Sequence, residues 1–330
     1  MDTRDSYLDN LKLILVLCVV CTHFLFEYRD TPIMISLFNG MCSFIMPVFI
    51  FISGYLSKNI RTHRSKDIMS LLLPYFILEL LNLVYSKVTH MGYGNKSLLT
   101  PTYQNWYLLS LFFWRLIVPY FRTMKSVYAI IIGFIISISA GFVSQFGEFL
   151  ALYRTFFYLP VFLLGYYARD IYKITERPQW QRYVAFIMFL GFTSALGFIS
   201  YSDPYKADDI FYAYLPNFGY TGDWHSVILR NIALFSSIIC GYCFLYLIPK
   251  KRVFFTKMGV NTLYVYLFHM FLVFPIIKLT GIYKPVVTEL VIVLSAIGIT
   301  MLLSYRPVAM VLKAITYPSV SRKIKDKIKA

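Results

Sequence analysis

The sequence predicts an all-α protein: a polytopic membrane helix bundle of about ten transmembrane helices with both termini cytoplasmic. Three observations predict it. First, 58% of the 330 residues are hydrophobic and only 15% are charged, too little charge to cover a soluble surface. Second, the apolar residues fall into runs of about 20, the length that crosses a bilayer as a helix. Third, the basic residues, which give a formal net charge of +16, form short clusters between those runs rather than one patch. That spacing argues against a nucleic-acid partner and for the lipid bilayer as the surroundings.

The expected spans run roughly 11–28, 34–57, 68–87, 106–121, 127–145, 154–168, 183–200, 227–248, 262–278 and 286–304. Backbone groups in lipid must pair within the segment, and the runs lack the strict alternation of a barrel strand, so helices are expected. The fourth and sixth are the shortest. Lys58, Arg61, Arg64 and Lys66, then Arg169, Lys173, Arg177 and Arg182, then Lys250, Lys251, Arg252 and Lys257 fall on one side of a ten-span arrangement. Residues 313–330 form a basic cytoplasmic tail after a membrane domain over 1–312. An excess of Lys and Arg marks the cytoplasmic side, here of the plasma or inner membrane. The first apolar run carries no cleavage pattern and is not expected to be a removable signal. Cys18, Cys21, Cys42, Cys240 and Cys243 all lie in apolar runs and read as small packing residues. No metal-ligand spacing accompanies them, so no metal is expected.

Ionisable residues inside spans are costly and therefore informative. Lys12 and His23 are eleven residues apart, so they share a face of the first helix roughly 16 Å apart along its axis. Asp9, three residues before Lys12, can pair with it. Read alone, they are first a snorkelling lysine and a histidine hydrogen-bonded at the interface, and second a functional pair. Ser53-Gly54-Tyr55 near the inner end of the second span permits close backbone approach, or ordinary small-residue packing. Glu79 and Arg115 read first as a structural ion pair. Arg154, ahead of Tyr158-Leu159-Pro160, and Trp106 are expected in the outer half with His23. His269 lies about two turns after Thr262 and Asn261 on one face, as a core or a functional histidine. The outer loop 201–226 combines Asp203, Asp208, Asp209 and Asp223 with many aromatics, including Trp224. It reads either as an interfacial belt or as a platform for a sugar.

In order along the chain stand Arg4…Leu8-Asp9…Lys12 followed by His23, then Met46-Pro47-Val48-Phe49…Ser53-Gly54-Tyr55, then Trp106-Tyr107-Leu108. Arg154…Leu159-Pro160-Val161-Phe162-Leu163-Leu164-Gly165-Tyr166 and Gly259-Val260-Asn261-Thr262-Leu263-Tyr264…His269 follow. Through these motifs nearly the whole chain resembles the acyltransferase-3 family of membrane acyltransferases, and most of all the branch similar to fucose 4-O-acetylase. The resemblance implies about ten helices, an acyl-coenzyme A donor and a sugar or envelope-polymer acceptor.

On that resemblance the expected activity is O-acetyl transfer from cytoplasmic acetyl-CoA to a hydroxyl of a cell-envelope or exported polysaccharide. Acetyl-CoA is a cosubstrate, and no permanently bound cofactor is expected. His23 is the expected general base or acyl carrier, with Lys12, Asp9 and Arg154 completing the catalytic group. Arg61, Arg64 and Lys66, with Ser53, Tyr55 and Asn261, are the candidates for acetyl-CoA. Trp106, Tyr158, His269, Asp223 and Trp224 are the candidates for the acceptor. The alternative from another class is a transporter or flippase for a lipid-linked sugar, which would leave the sugar's chemistry unchanged.

Overall fold

The computed structural model describes residues 5–58, 68–92, 97–143, 146, 148–174, 176–214, 223–280 and 285–317. Among them every regular element is a helix and no strand occurs. In chain order the helices are α1 Ser6–Glu27, α2 Pro32–Cys42, α3 Ile45–Leu56, α4 Leu73–Thr89, α5 Trp106–Phe121 and α6 Ser126–Ala140. There follow α7 Leu152–Phe157, α8 Leu159–Tyr167, α9 Gln179–Ser202, α10 Pro204–Tyr214 and α11 Trp224–Leu247. The last four are α12 Thr262–Phe268, α13 Met270–Thr280, α14 Pro285–Ser304 and α15 Arg306–Thr316.

Among the described residues five stretches are long and apolar enough to cross a membrane: Ser6–Glu27, Pro32–Leu56, Ser70–Thr89, Gln179–Ser202 and Trp224–Leu247. Three bent helix pairs raise the number to as many as eight. The expected ten differ from this at two places, α5 and α6. These helices hold 16 and 15 residues. At 1.5 Å per residue they reach roughly 24 and 22 Å, short of a hydrocarbon core about 30 Å thick.

Two of the bends have causes that can be named. Between α7 and α8 the axis turns by 56°. Pro160 has no N–H to offer the Phe156 carbonyl, so the ladder must break there. Between α12 and α13 the turn is 68°, with no proline at the junction. Here the His269 ring enters the ladder instead. The third bend, 71°, separates α14 from α15.

The chain divides into two compact units. The first comprises residues 1–24, 63–112 and 253–330. In it, Gly259 lies against the α1 backbone, where an added Cβ would collide with the Asp9 carbonyl. Thr256 Oγ1 donates to the buried Asn10 side chain at 2.7 Å, tying the same two segments. The second unit comprises residues 25–62 and 113–252. Its tightest contact joins α3 to α8. A Cβ on Gly54 would strike the Phe162 carbonyl, and one on Gly165 would strike the Phe51 carbonyl. Two glycines, one per helix, thus bring two backbones together, the device that lets membrane helices pack without large side chains. In the same unit α9 packs beside α2 and α11, yet only 11% of its most apolar window is buried.

The region expected as an aromatic outer loop is helical over most of its described part. α10 occupies Pro204–Tyr214, and Asp203 caps it, accepting from the Tyr205 and Lys206 amides at 3.1 and 3.2 Å.

Candidate functional site

One group of polar residues in the first unit gathers around the break after α12. The His269 side chain is 0% exposed. Its Nδ1 lies 3.0 Å from the Val265 carbonyl oxygen and 2.9 Å from that of Tyr266. Both partners can only accept, so Nδ1 carries the proton and donates. The Tyr266 carbonyl is the one the Met270 amide would take in a continuous helix. Its capture by the ring accounts for the bend.

Assignment of the proton to Nδ1 leaves Nε2 with a lone pair only. That atom is buried and meets no hydrogen-bond partner among the described residues. The His23 ring lies beside the His269 ring: the two imidazole centroids are 4.9 Å apart and the planes are tilted by 47°. His23 is half-buried, so it is the more accessible of the two rings. α1 delivers one histidine and the α12–α13 junction the other.

A second layer fixes the junction. Tyr266 Oη donates to the Gln104 carbonyl at 2.7 Å, and Gln104 Nε2 donates back to the Leu267 carbonyl at 3.0 Å. The Tyr107 ring stands edge-on to Tyr266 at 5.4 Å. Next to Gln104, the buried Asn105 donates through Nδ2 to Glu79 Oε1 at 2.9 Å. Glu79 is itself 0% exposed, and it also accepts from the Thr102 amide at 2.8 Å and hydroxyl at 2.9 Å. Three donors from the turn before α5 therefore hold one carboxyl of α4, and through Gln104 that turn holds the α12–α13 junction. Sequence reading singled out Glu79 but not Thr102, Gln104 or Asn105. The available signal was a polar pair, Gln104-Asn105, set directly before the apolar run opening at Trp106.

The other expected site residues divide by unit. In the first, Lys12 Nζ and Asp9 Oδ1 form the expected ion pair at 2.8 Å. Lys12 stands on α1 eleven residues from His23, roughly 16 Å along the axis, and Asp9 lies farther still, so the pair occupies a different part of the helix. Asn261 Nδ2 donates to the Ser304 carbonyl at 2.9 Å, joining the start of α12 to the end of α14. Trp106 is buried at the start of α5, with its ring edge-on to Tyr107.

In the second unit Ser53 Oγ donates to the Phe49 carbonyl of its own helix at 2.9 Å. The Lys58 ammonium lies 4.0 Å from the centre of the Tyr55 ring and donates to the Ala168 carbonyl at the end of α8. Burial lowers the Lys58 pKa, with Asp170 opposing the shift. Arg154 is half-buried on α7, and Tyr158 is buried at the bend before α8. Asp223 serves as N-cap of α11, accepting from the Ser226 amide at 2.7 Å. Trp224 is exposed, its ring edge-on to Phe142 at 4.6 Å. Arg61, Arg64 and Lys66 lie outside the described residues.

An imidazole with a buried, unshared lone pair beside a second, accessible imidazole can do acid–base or nucleophilic work on a hydroxyl or an acyl group. A family model described as an acyltransferase domain, that of the acyltransferase-3 family, matches residues 5–306. No curated protein matches the chain, and no solved structure does. The match covers both histidines and every helix from α1 through α14, and the chain belongs to the acyltransferase-3 family.

Proposed function

We propose that this membrane acyltransferase moves an acetyl group from cytoplasmic acetyl-CoA to a hydroxyl of a cell-envelope or exported sugar or polysaccharide, in the manner of the fucose 4-O-acetylase-like branch. His23 is its general base. The observation that carries this reading is the contact between the half-buried His23 ring and the fully buried His269 ring. An imidazole is the side chain best suited to take a proton from a hydroxyl near neutral pH.

In this reading the chain crosses the cytoplasmic membrane ten times, with α5 and α6 as short spans and both termini inside. Its partners are acetyl-CoA, the sugar acceptor and the surrounding bilayer, and nucleic acid is not one. Cytoplasmic basic residues, Arg61, Arg64 and Lys66 among them, gather the phosphates of acetyl-CoA, with Ser53 and Tyr55 nearby along the sequence. The acceptor hydroxyl reaches His23, which removes its proton as the oxygen attacks the thioester carbonyl. The carbon–sulfur bond then breaks, and the thiolate leaves with the proton that His23 held. Trp106 flanks the acceptor.

The test uses purified protein in lipid with acetyl-labelled coenzyme A and envelope glycans from cells that lack the gene. Wild type is expected to label the glycan. His23→Ala is expected to lose at least about 100-fold in rate while remaining folded and inserted. Full activity in His23→Ala would remove the assignment of the base. Absence of label with wild type across acyl donors and glycans would remove the reaction.

A further inference from the structure

The geometry points to His269 as the positioning residue for His23: its Nε2 accepts the N–H of the His23 ring and holds that ring in a single tautomer, as a carboxylate does in a serine–histidine–aspartate triad. This inference rests on the proposed transfer for its purpose, and on the imidazole pair for its substance.

Four observations carry it. His269 Nδ1–H is committed to two backbone carbonyls, so the ring cannot turn over without losing both bonds. Nε2 is therefore an acceptor and nothing else. That atom is buried and meets no donor among the described residues. A buried acceptor without a donor costs free energy, so an N–H brought to this atom is favoured. Finally, the neighbouring ring centroid is 4.9 Å away. A ring nitrogen sits roughly 1.1 Å from its centroid, so a straight N–H···N bond of about 2.9 Å sets the centroids about 5 Å apart, close to this separation, once the two nitrogens are turned toward each other. Such bonds are often long in an empty site and tighten around substrate.

The chemistry balances without any further reactant. With His269 Nε2 holding one His23 N–H, the opposite His23 nitrogen presents its lone pair to the acceptor. The hydroxyl proton passes to that nitrogen as the new oxygen–carbon bond forms. The resulting His23 imidazolium keeps its first N–H on His269. The second N–H then protonates the departing thiolate, and both rings return to neutral. His269 forms no covalent bond to the acyl group. Its deep burial suits it to this indirect task, and the accessible position of His23 suits it to the direct one.

The experiment compares wild type, His269→Gln and His269→Phe in lipid nanodiscs. Glutamine can place an oxygen near the position of Nε2, whereas phenylalanine keeps the ring and offers no lone pair. Acetyl transfer to glycan and ring 15N spectra of labelled histidine are read together. Expected are a fall in kcat of about 100-fold for His269→Phe, with KM for acetyl-CoA unchanged, and recovery of at least about tenfold in His269→Gln. In the spectra, wild-type His23 is expected as one neutral tautomer, and His269→Phe is expected to give a mixture. A His23 spectrum identical in wild type and His269→Phe overturns the pairing. Equal loss in the glutamine and phenylalanine variants, with tautomers unchanged, overturns it also. Where His269→Phe does not fold, the His269→Gln rate and the wild-type spectrum decide: a wild-type His23 divided between tautomers overturns the proposal. A wild type that transfers no acetyl group but shows the tautomer effect sinks the reaction and leaves the pair standing.

Discussion

Single side chains in this protein earn their places by the hydrogen bonds they answer. Glu79 is fully buried and meets three donors. Its removal strands the Thr102 amide and hydroxyl and the Asn105 side chain. Glu79→Ala is expected to cost about 3 kcal/mol, and Glu79→Gln, which keeps one acceptor oxygen, less. Thermal unfolding in detergent measures both, and the loss should carry activity down with it, because the same turn holds Gln104 against the His269 junction. Asp203 illustrates the exposed case. Its carboxyl is held below the usual carboxylate range by the Lys206 amide first, then by the Lys206 side chain and the Tyr205 amide. A depressed carboxylate pKa means the cap is intact above the ordinary value of about 4 and fails as pH falls through the lowered one. Protection from hydrogen exchange at the start of α10, relative to the intrinsic rate at each pH, should therefore fall progressively below about pH 4 in wild type, and Asp203→Ala should show that reduced protection already at pH 7. The sequence made the charge at residue 79 visible, because a carboxylate inside an apolar run stands out. Its partners were hidden, since Thr102 and Asn105 are short polar residues in a turn and obey no helical period.

At the scale of helices, shape is set by small residues and broken ladders. Gly54 and Gly165 each sit where a side chain would collide with the opposite backbone. Gly54→Ala and Gly165→Ala are each expected to destabilise by about 3 kcal/mol or more, well above the ordinary cost of an extra methyl group, and to lower the yield of folded protein in gel filtration. The pair together should cost less than the sum, because the first substitution already separates the helices. The apolar runs revealed the long helices α1, α4, α9 and α11, whose ends fall within a few residues of the expected spans. They did not reveal the bends. A hydropathy profile has no signal for a histidine ring that captures its own helix's carbonyls, so the segment over 262–278 reads as one straight span.

At the scale of the whole molecule, the number of crossings decides on which side the two ends lie. An even count places them together and an odd count separates them. With α5 and α6 as spans and each bent pair as one, the count is even, in agreement with the basic clusters of the sequence. Reporter domains fused at either end should both give the cytoplasmic signal, and a periplasmic signal from one end would remove a crossing. The bilayer also leaves its imprint on how much each helix can say. α9 is apolar along its length, yet large residues such as Trp180, Phe186, Ile187 and Phe198 stand mostly exposed in the fold. Their solvent is hydrocarbon, which rewards greasiness but has no fixed contours to match. α9 should thus accept exchange among leucine, isoleucine, phenylalanine and valine at most positions while rejecting charge, whereas α3 should reject even one added methyl group at Gly54. A saturation mutagenesis map would then read as two alphabets in one protein, a coarse one written by lipid and a fine one written by the neighbouring backbone.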